Sequence, residues 1–114
     1  LGKLRRVDIV SKRELEANEF WINDLASGKI LLVEVDEENV AVYNVDGRFY
    51  ATSEACTHAE GPLSEGWLNG TIVTCPWHDS CFDVTTGEVR CGPANDPLIS
   101  YRVIIEGDIG RVEE

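Results

Sequence analysis

This chain of 114 residues is poor in histidine and in basic residues, and it has no long apolar run. Each shortage excludes something. No stretch of 18 apolar residues occurs, so no membrane-spanning helix is expected. Residues 1–20 lack an apolar core of the kind a secretory signal needs. Arg5-Arg6 is a twin arginine, but Asp8, Lys12, Arg13 and Glu14 follow it instead of a hydrophobic stretch. Lys and Arg together number 10 against 21 acids, a formal net charge of −11. That balance argues against nucleic acid and anionic membrane as partners. No Gly-x-Gly-x-x-Gly occurs, so no nicotinamide or flavin domain is visible. No Ser/His/Asp set and no internal repeat are present either. Expectations from these absences are a soluble, cytoplasmic protein of one domain, residues 1–114, with a modest core.

The scarce residues are what is informative. The only two histidines each lie close to a cysteine, in Cys56-Thr57-His58 and Cys75-Pro76-Trp77-His78. Thiolate and imidazole are ligands suited to zinc or iron–sulfur chemistry. Zinc fingers usually pair Cys with Cys and then His with His, whereas each stretch here gives one of each. That division suits a two-iron cluster in which one iron takes both cysteines and the other both histidines. A mononuclear zinc site with the same four ligands is the competing reading, as a zinc-binding structural module. Simple packing in a core is another.

At these residues the chain resembles the Rieske family, and within it the small soluble Rieske-type [2Fe–2S] ferredoxins. The likeness runs from about Ile30 to Val112. It is strongest at Cys56-Thr57-His58, Gly61-Pro62-Leu63-Ser64-Glu65-Gly66 and Cys75-Pro76-Trp77-His78-Asp79-Ser80. The resemblance implies one [2Fe–2S] cluster, with Cys56 and Cys75 on an inner iron and His58 and His78 on an outer, exposed one. It implies an electron-transfer protein with no catalytic residues of its own. Its partners would be a flavin-dependent ferredoxin reductase and a terminal oxygenase, each bound transiently by a monomer. The Rieske-like small subunit of a larger reductase, such as nitrite reductase, is the alternative within the family.

Two departures from the family pattern stand out. Respiratory members carry an extra cysteine in each ligand loop, joined as a disulfide; Gly61 and Trp77 occupy the matching positions here. Trp77, Pro62 and Pro76 are then expected to hold the loops together. Glycine commonly follows the second ligand histidine, and here it is Asp79, read as a surface acid. High-potential members share Ser80, whose hydroxyl would donate to a bridging sulfide. They also have a tyrosine where this chain has Phe82. The lost hydroxyl implies a low potential.

Periodicity gives a chain of strands. Ile30–Val35, Val40–Val45 and 48–52 read as a meander, with a polar turn at 36–39 and a hairpin turn at Asp46-Gly47. Residues 71–74, Phe82-Asp83-Val84 and Glu88-Val89-Arg90 follow, the last two joined by Thr85-Thr86-Gly87. Leu63–Gly66 reads as a turn and residues 92–97 as a loop. Leu98–Ile105 and Asp108–Val112 close the pattern. The expected fold is all-β: an antiparallel β-sandwich with a small cluster-binding subdomain at about 55–83. Residues 1–29 read as an N-terminal strand, Lys3–Val10, and an extra segment. Within that segment Ser11 and Glu14 form a capping box for a short helix at Lys12–Ala17, and Trp21 is expected to cover the core. Cys81 and Cys91 fall roughly opposite each other across the second hairpin. They are placed so that a bridge could form, but a cytoplasmic protein normally keeps thiols reduced, so small, reduced core residues are the favoured reading.

Overall fold

The structure, a computed structural model, describes residues 13–114. The strand expected at Lys3–Val10 and the Ser11 end of the capping box lie outside the described residues. The helix expected at Lys12–Ala17 does not form in the described part: residues 13–16 are irregular and 17–18 turn directly into a strand.

Ten strands follow in chain order. They are β1 (Glu19–Trp21), β2 (Ile30–Val35), β3 (Glu38–Val45), β4 (Arg48–Ser53) and β5 (Trp67–Asn69). Then come β6 (Ile72–Thr74), β7 (Cys81–Asp83), β8 (Val89–Cys91), β9 (Ser100–Glu106) and β10 (Ile109–Glu113). Six of them form one antiparallel sheet in the order β1-β10-β9-β4-β3-β2, and four form a second in the order β5-β6-β7-β8. The larger sheet has two three-stranded halves. Only two residue pairs join them, Ala51 with Tyr101 and Thr52 with Ser100.

That narrow seam lets the halves fold over a shared core. Phe20 of β1, Val33 and Val35 of β2, Val40 and Val42 of β3, Ala51 of β4 and Val112 of β10 all bury into it. Each such aliphatic or aromatic side chain contributes roughly 1.5–3 kcal/mol on burial. Phe20, not Trp21, is the aromatic that enters this core; Trp21 is only half-buried. The ring of Phe20 lies where a side chain at Gly110 would have to go, since a Cβ there would come within 2.3 Å of it. Residues 19–21 are therefore a working edge of the main sheet, paired to Ile109, Gly110 and Arg111.

The turns follow local chemistry. Asp36-Glu37 and Asp46-Gly47 are both two-residue hairpin turns with positive φ at each position, 50° and 71°, then 51° and 91°. The first is tighter than the four-residue turn expected, so β3 starts two residues earlier, at Glu38. Asp83 organises the β7–β8 turn by accepting bonds from Thr85 N (2.9 Å) and Thr85 Oγ1 (2.6 Å). Thr85 first, and then Arg90, hold its carboxyl below the usual range.

The second sheet extends past the expected subdomain limit of 83, to Cys91. Its strand β5 carries no alternation and is missing from the sequence reading. In the β7–β8 ladder Cys81 faces Cys91, as expected, but Arg90 is an extra residue, so Phe82 faces Val89.

Candidate metal centre

Two closed loops carry the four candidate ligands. The first leaves β4 and is pinched at its base by a bridge between Ala55 and Pro62. Cys56 N donates to Gly61 O (2.9 Å) and Glu60 N to Cys56 O (2.7 Å), so residues 56–61 fold back on themselves. The second is closed by Cys75 N donating to Ser80 O at 2.8 Å. Within it His78 and Asp79 both have positive φ, 129° and 62°. L-residues rarely hold these angles, and clustered strain of this kind marks functional loops.

The loops sort their ligands by depth. Cys56 and Cys75 are each 1% exposed and belong to the core beneath the second sheet, with Leu63, Val73, Phe82 and Ala94. His58 and His78 are exposed. Like stands beside like across the two loops. The Cys56 thiol lies near enough to Cys75 to raise its titration. The two imidazole rings meet edge to face with centroids 5.0 Å apart. Among the described residues no three His, Cys, Asp or Glu side chains gather about one point, so the donors stand as two pairs.

Burial is the main reason the Cys75 thiol is pushed up; the Trp77 N–H, 3.4 Å from Sγ, pulls the other way. The thiols and the negative charge of Asp79 raise it further. A buried, mutually repelling thiolate pair is stable only with a cation between or beside it.

Gly61 shows how tightly the loops meet. A Cβ there would lie 2.6 Å from Cys75 Sγ and 3.0 Å from Trp77 Cγ. The position that respiratory members fill with cysteine has no room for any side chain here. The same Cβ would lie 3.1 Å from Trp77 Cβ, and Trp77 is 51% exposed, so this side chain covers Gly61 while leaving half its surface to solvent. A Cβ at Gly66 would sit 3.2 Å from Pro76 Cδ, so Pro76 lies close against that glycine. Pro62 serves through the Ala55 bridge.

The loop at 92–97 does much of the remaining work. Thr57 Oγ1 donates to Asp96 O at 2.6 Å, tying it to the first ligand loop. Ala94 N donates to the fully buried Ser80 Oγ at 2.9 Å, tying it to the second. Because Ser80 accepts that bond, its own proton is free for another acceptor. Glu54 is a third brace: its carboxylate accepts from Ser64 N (2.8 Å) and Ser64 Oγ (2.5 Å). Burial pushes the Glu54 carboxyl up. Sequence reasoning missed Thr57, Asp96, Ala94 and Glu54 as parts of the site. Only the proximity of Thr57 and Glu54 to Cys56 could have signalled any of them.

Cys81 and Cys91 are joined as a disulfide, with Cα atoms 5.0 Å apart. This corrects the expectation of two reduced core residues. The facing register was legible, but Cys91 sits on an exposed strand end and Cys81 is buried. Asp79 is exposed, as expected of a surface acid.

Comparison with known proteins decides the family. The model of the Rieske [2Fe-2S] domain matches residues 19–102. The chain belongs to the Rieske [2Fe–2S] domain family. It is 44% identical over 87 residues to the biphenyl dioxygenase ferredoxin subunit of Pseudomonas sp. strain KKS102, covering 75% of this chain and 80% of that protein. Among solved structures, it is similar to the ferredoxin of carbazole 1,9a-dioxygenase from Nocardioides aromaticivorans IC177. The TM-score is 0.81 at 30% identity, covering 84% of this chain and 94% of the other. It also matches a chain of the complex of reduced oxygenase and oxidized ferredoxin in carbazole 1,9a-dioxygenase. There the TM-score is 0.79 at 33% identity, over 86% and 94% of the two chains. A Rieske domain carries one [2Fe–2S] cluster, and the donor set here fits it: two buried thiols, two exposed imidazoles, paired like with like.

Proposed function

We propose that this protein is the one-electron carrier of an oxygenase system, taking electrons from a flavin-dependent reductase and passing them to a terminal oxygenase. The single observation that carries the reading is the depth sorting of the ligands. Cys56 and Cys75 would hold the buried iron, and His58 and His78 the outer one. The cluster supplies reversible one-electron chemistry; the protein supplies access and potential. Exposed imidazoles shorten the path to a docked partner, while buried thiolates keep water from the inner iron. The single Rieske domain and the monomeric state belong to the same proposal.

The two relatives named as ferredoxins favour a free carrier over a subunit of nitrite reductase. The two separate donor pairs favour a binuclear cluster over one tetrahedral zinc.

Ser80 and Phe82 set the expected potential. The Ser80 proton, free because its oxygen accepts Ala94 N–H, would donate to a cluster sulfur and stabilise the reduced state. Phe82 is fully buried and offers no second donor. The net charge of −11 also opposes adding an electron. Rieske centres reach down to about −150 mV, and this one belongs at that end. A redox titration at neutral pH tests it. A midpoint well above zero would remove the carrier reading and favour a quinol-facing protein.

A further inference from the structure

The Cys81–Cys91 disulfide has no role so far, and it leads into the 92–97 loop that ties both ligand loops. The two form one device.

The disulfide joins the strand that leaves the second ligand loop to the strand that enters the 92–97 loop. Cys81 directly follows Ser80, and Cys91 directly precedes Gly92. Three residues further on, Ala94 N donates to Ser80 Oγ inside the core. The covalent tie and the hydrogen bond thus bracket the same short span from both strands. Nothing else in the ladder there is regular, because the extra residue Arg90 breaks the register between the Cys81 and Phe82 pairs. The same loop reaches across to Thr57 in the first ligand loop through Asp96 O. A register fault beside two ligand loops is where hydrogen bonds alone would leave play. The cross-link removes it.

We propose that the Cys81–Cys91 disulfide is a positioning element of the cluster centre, holding the 92–97 loop against the second ligand loop and thereby aiming the Ser80 hydroxyl. This rests on the reading of Ser80 as a donor to the cluster. It stands in for the bridge between the ligand loops that Gly61 and Trp77 make impossible, but from behind the loops. The bond is also reachable. Cys91 is exposed, so a thiolate attacks its sulfur and Cys81 leaves. With dithiothreitol the balance is simple. The S–S bond breaks, Cys81 and Cys91 each take a proton, and the two reagent thiols close to a cyclic disulfide.

The experiment has three arms. The holoprotein is denatured with iodoacetamide and no reductant, and its alkylated cysteines are mapped by mass spectrometry. Alkylation of Cys56 and Cys75 only, with a linked 81–91 peptide pair, is expected; four alkylated cysteines overturn the proposal. The Cys81→Ser/Cys91→Ser double variant is then titrated beside wild type. Its midpoint potential is expected to fall, and its visible absorption to bleach at a lower temperature. An unchanged potential overturns the positioning role. Ser80→Ala alone and combined with the double variant completes a cycle. If the bridge acts through Ser80, removing the bridge from Ser80→Ala lowers the potential no further, and a full additional drop overturns the proposal. A Ser80→Ala protein with wild-type potential shows that the Ser80 reading has failed, and the proposal with it, while the mapped disulfide stands. If the double variant does not fold, the bond is opened in wild type with dithiothreitol, Cys91 is blocked with iodoacetamide, and the same potential is measured.

Discussion

At the scale of single residues, the site is governed by small, specific exclusions. Gly61 is the sharpest. Gly61→Ala would place a methyl 2.6 Å from Cys75 Sγ, and both loops are closed by their own hydrogen bonds, so neither yields easily. The variant is expected to carry much less iron per chain than wild type, by metal analysis; full occupancy would show that the loops part freely. Asp79 is a second test. It holds φ 62° and its charge acts on Cys75. Asp79→Asn keeps a side chain that tolerates this angle and removes the charge, so the potential should rise with stability unchanged. Asp79→Gly should raise the potential as well and add up to about 1 kcal/mol of stability. A redox titration and thermal unfolding of both variants separate the two effects. A potential identical in all three proteins would mean that solvent screens the carboxylate. The four candidate ligands stand out in the sequence because two histidines beside two cysteines have few other uses. Glu54 and Thr57 do not, because their roles depend on partners at Ser64 and Asp96, distant in sequence.

At the scale of elements, strands with a two-residue period and a recognisable turn were readable, and those without were not. β2 was expected with its observed ends, and Asp46-Gly47 makes the turn it was assigned. β1 and β5 are three-residue strands fixed by their partners β10 and β6. The helix expected at Lys12–Ala17 lost to tertiary pairing. Arg13 spends its guanidinium on Glu19 at the start of β1, with both bonds at 2.9 Å. Glu19 also accepts from Glu16 N at 2.9 Å. Arg13 first, and the Glu16 N–H second, lower the Glu19 carboxyl from 4.5 to about 2. A carboxyl lowered by folding stabilises the fold above its unfolded value, and that contribution is lost as pH falls from about 4.5 through about 2. Arg13→Ala should therefore lower the melting temperature at pH 7, and the deficit should be smaller near pH 4. An equal deficit at both pH values would show that the pair contributes nothing through ionisation.

At the scale of the whole molecule, the account is of a charged carrier with one reactive face. The acids outnumber the bases by 21 to 10. Two of them, Glu60 and Asp79, lie exposed within the ligand loops themselves. A basic patch on a redox partner would be drawn to that face, in a small and short-lived interface. Electron transfer from the reductase should slow as salt rises, because charges are screened beyond about 10 Å at 0.1 M. Stopped-flow rates that ignore ionic strength would leave the charge a role in solubility alone. The all-β class was legible, since strands and turns punctuate the chain. The narrow seam of two pairs between β4 and β9 was not, for nothing local marks where a sheet bends. The central claim, however, is the unequal cluster. Pulsed electron-paramagnetic resonance of the dithionite-reduced protein, with iron and acid-labile sulfide assayed on the same sample, tests it most directly. The account predicts iron and sulfide in equal amounts, and hyperfine coupling to coordinating nitrogen that weakens when either His58 or His78 is changed to cysteine. Zinc without sulfide, or an iron–sulfur signal with no coordinating nitrogen, would contradict it.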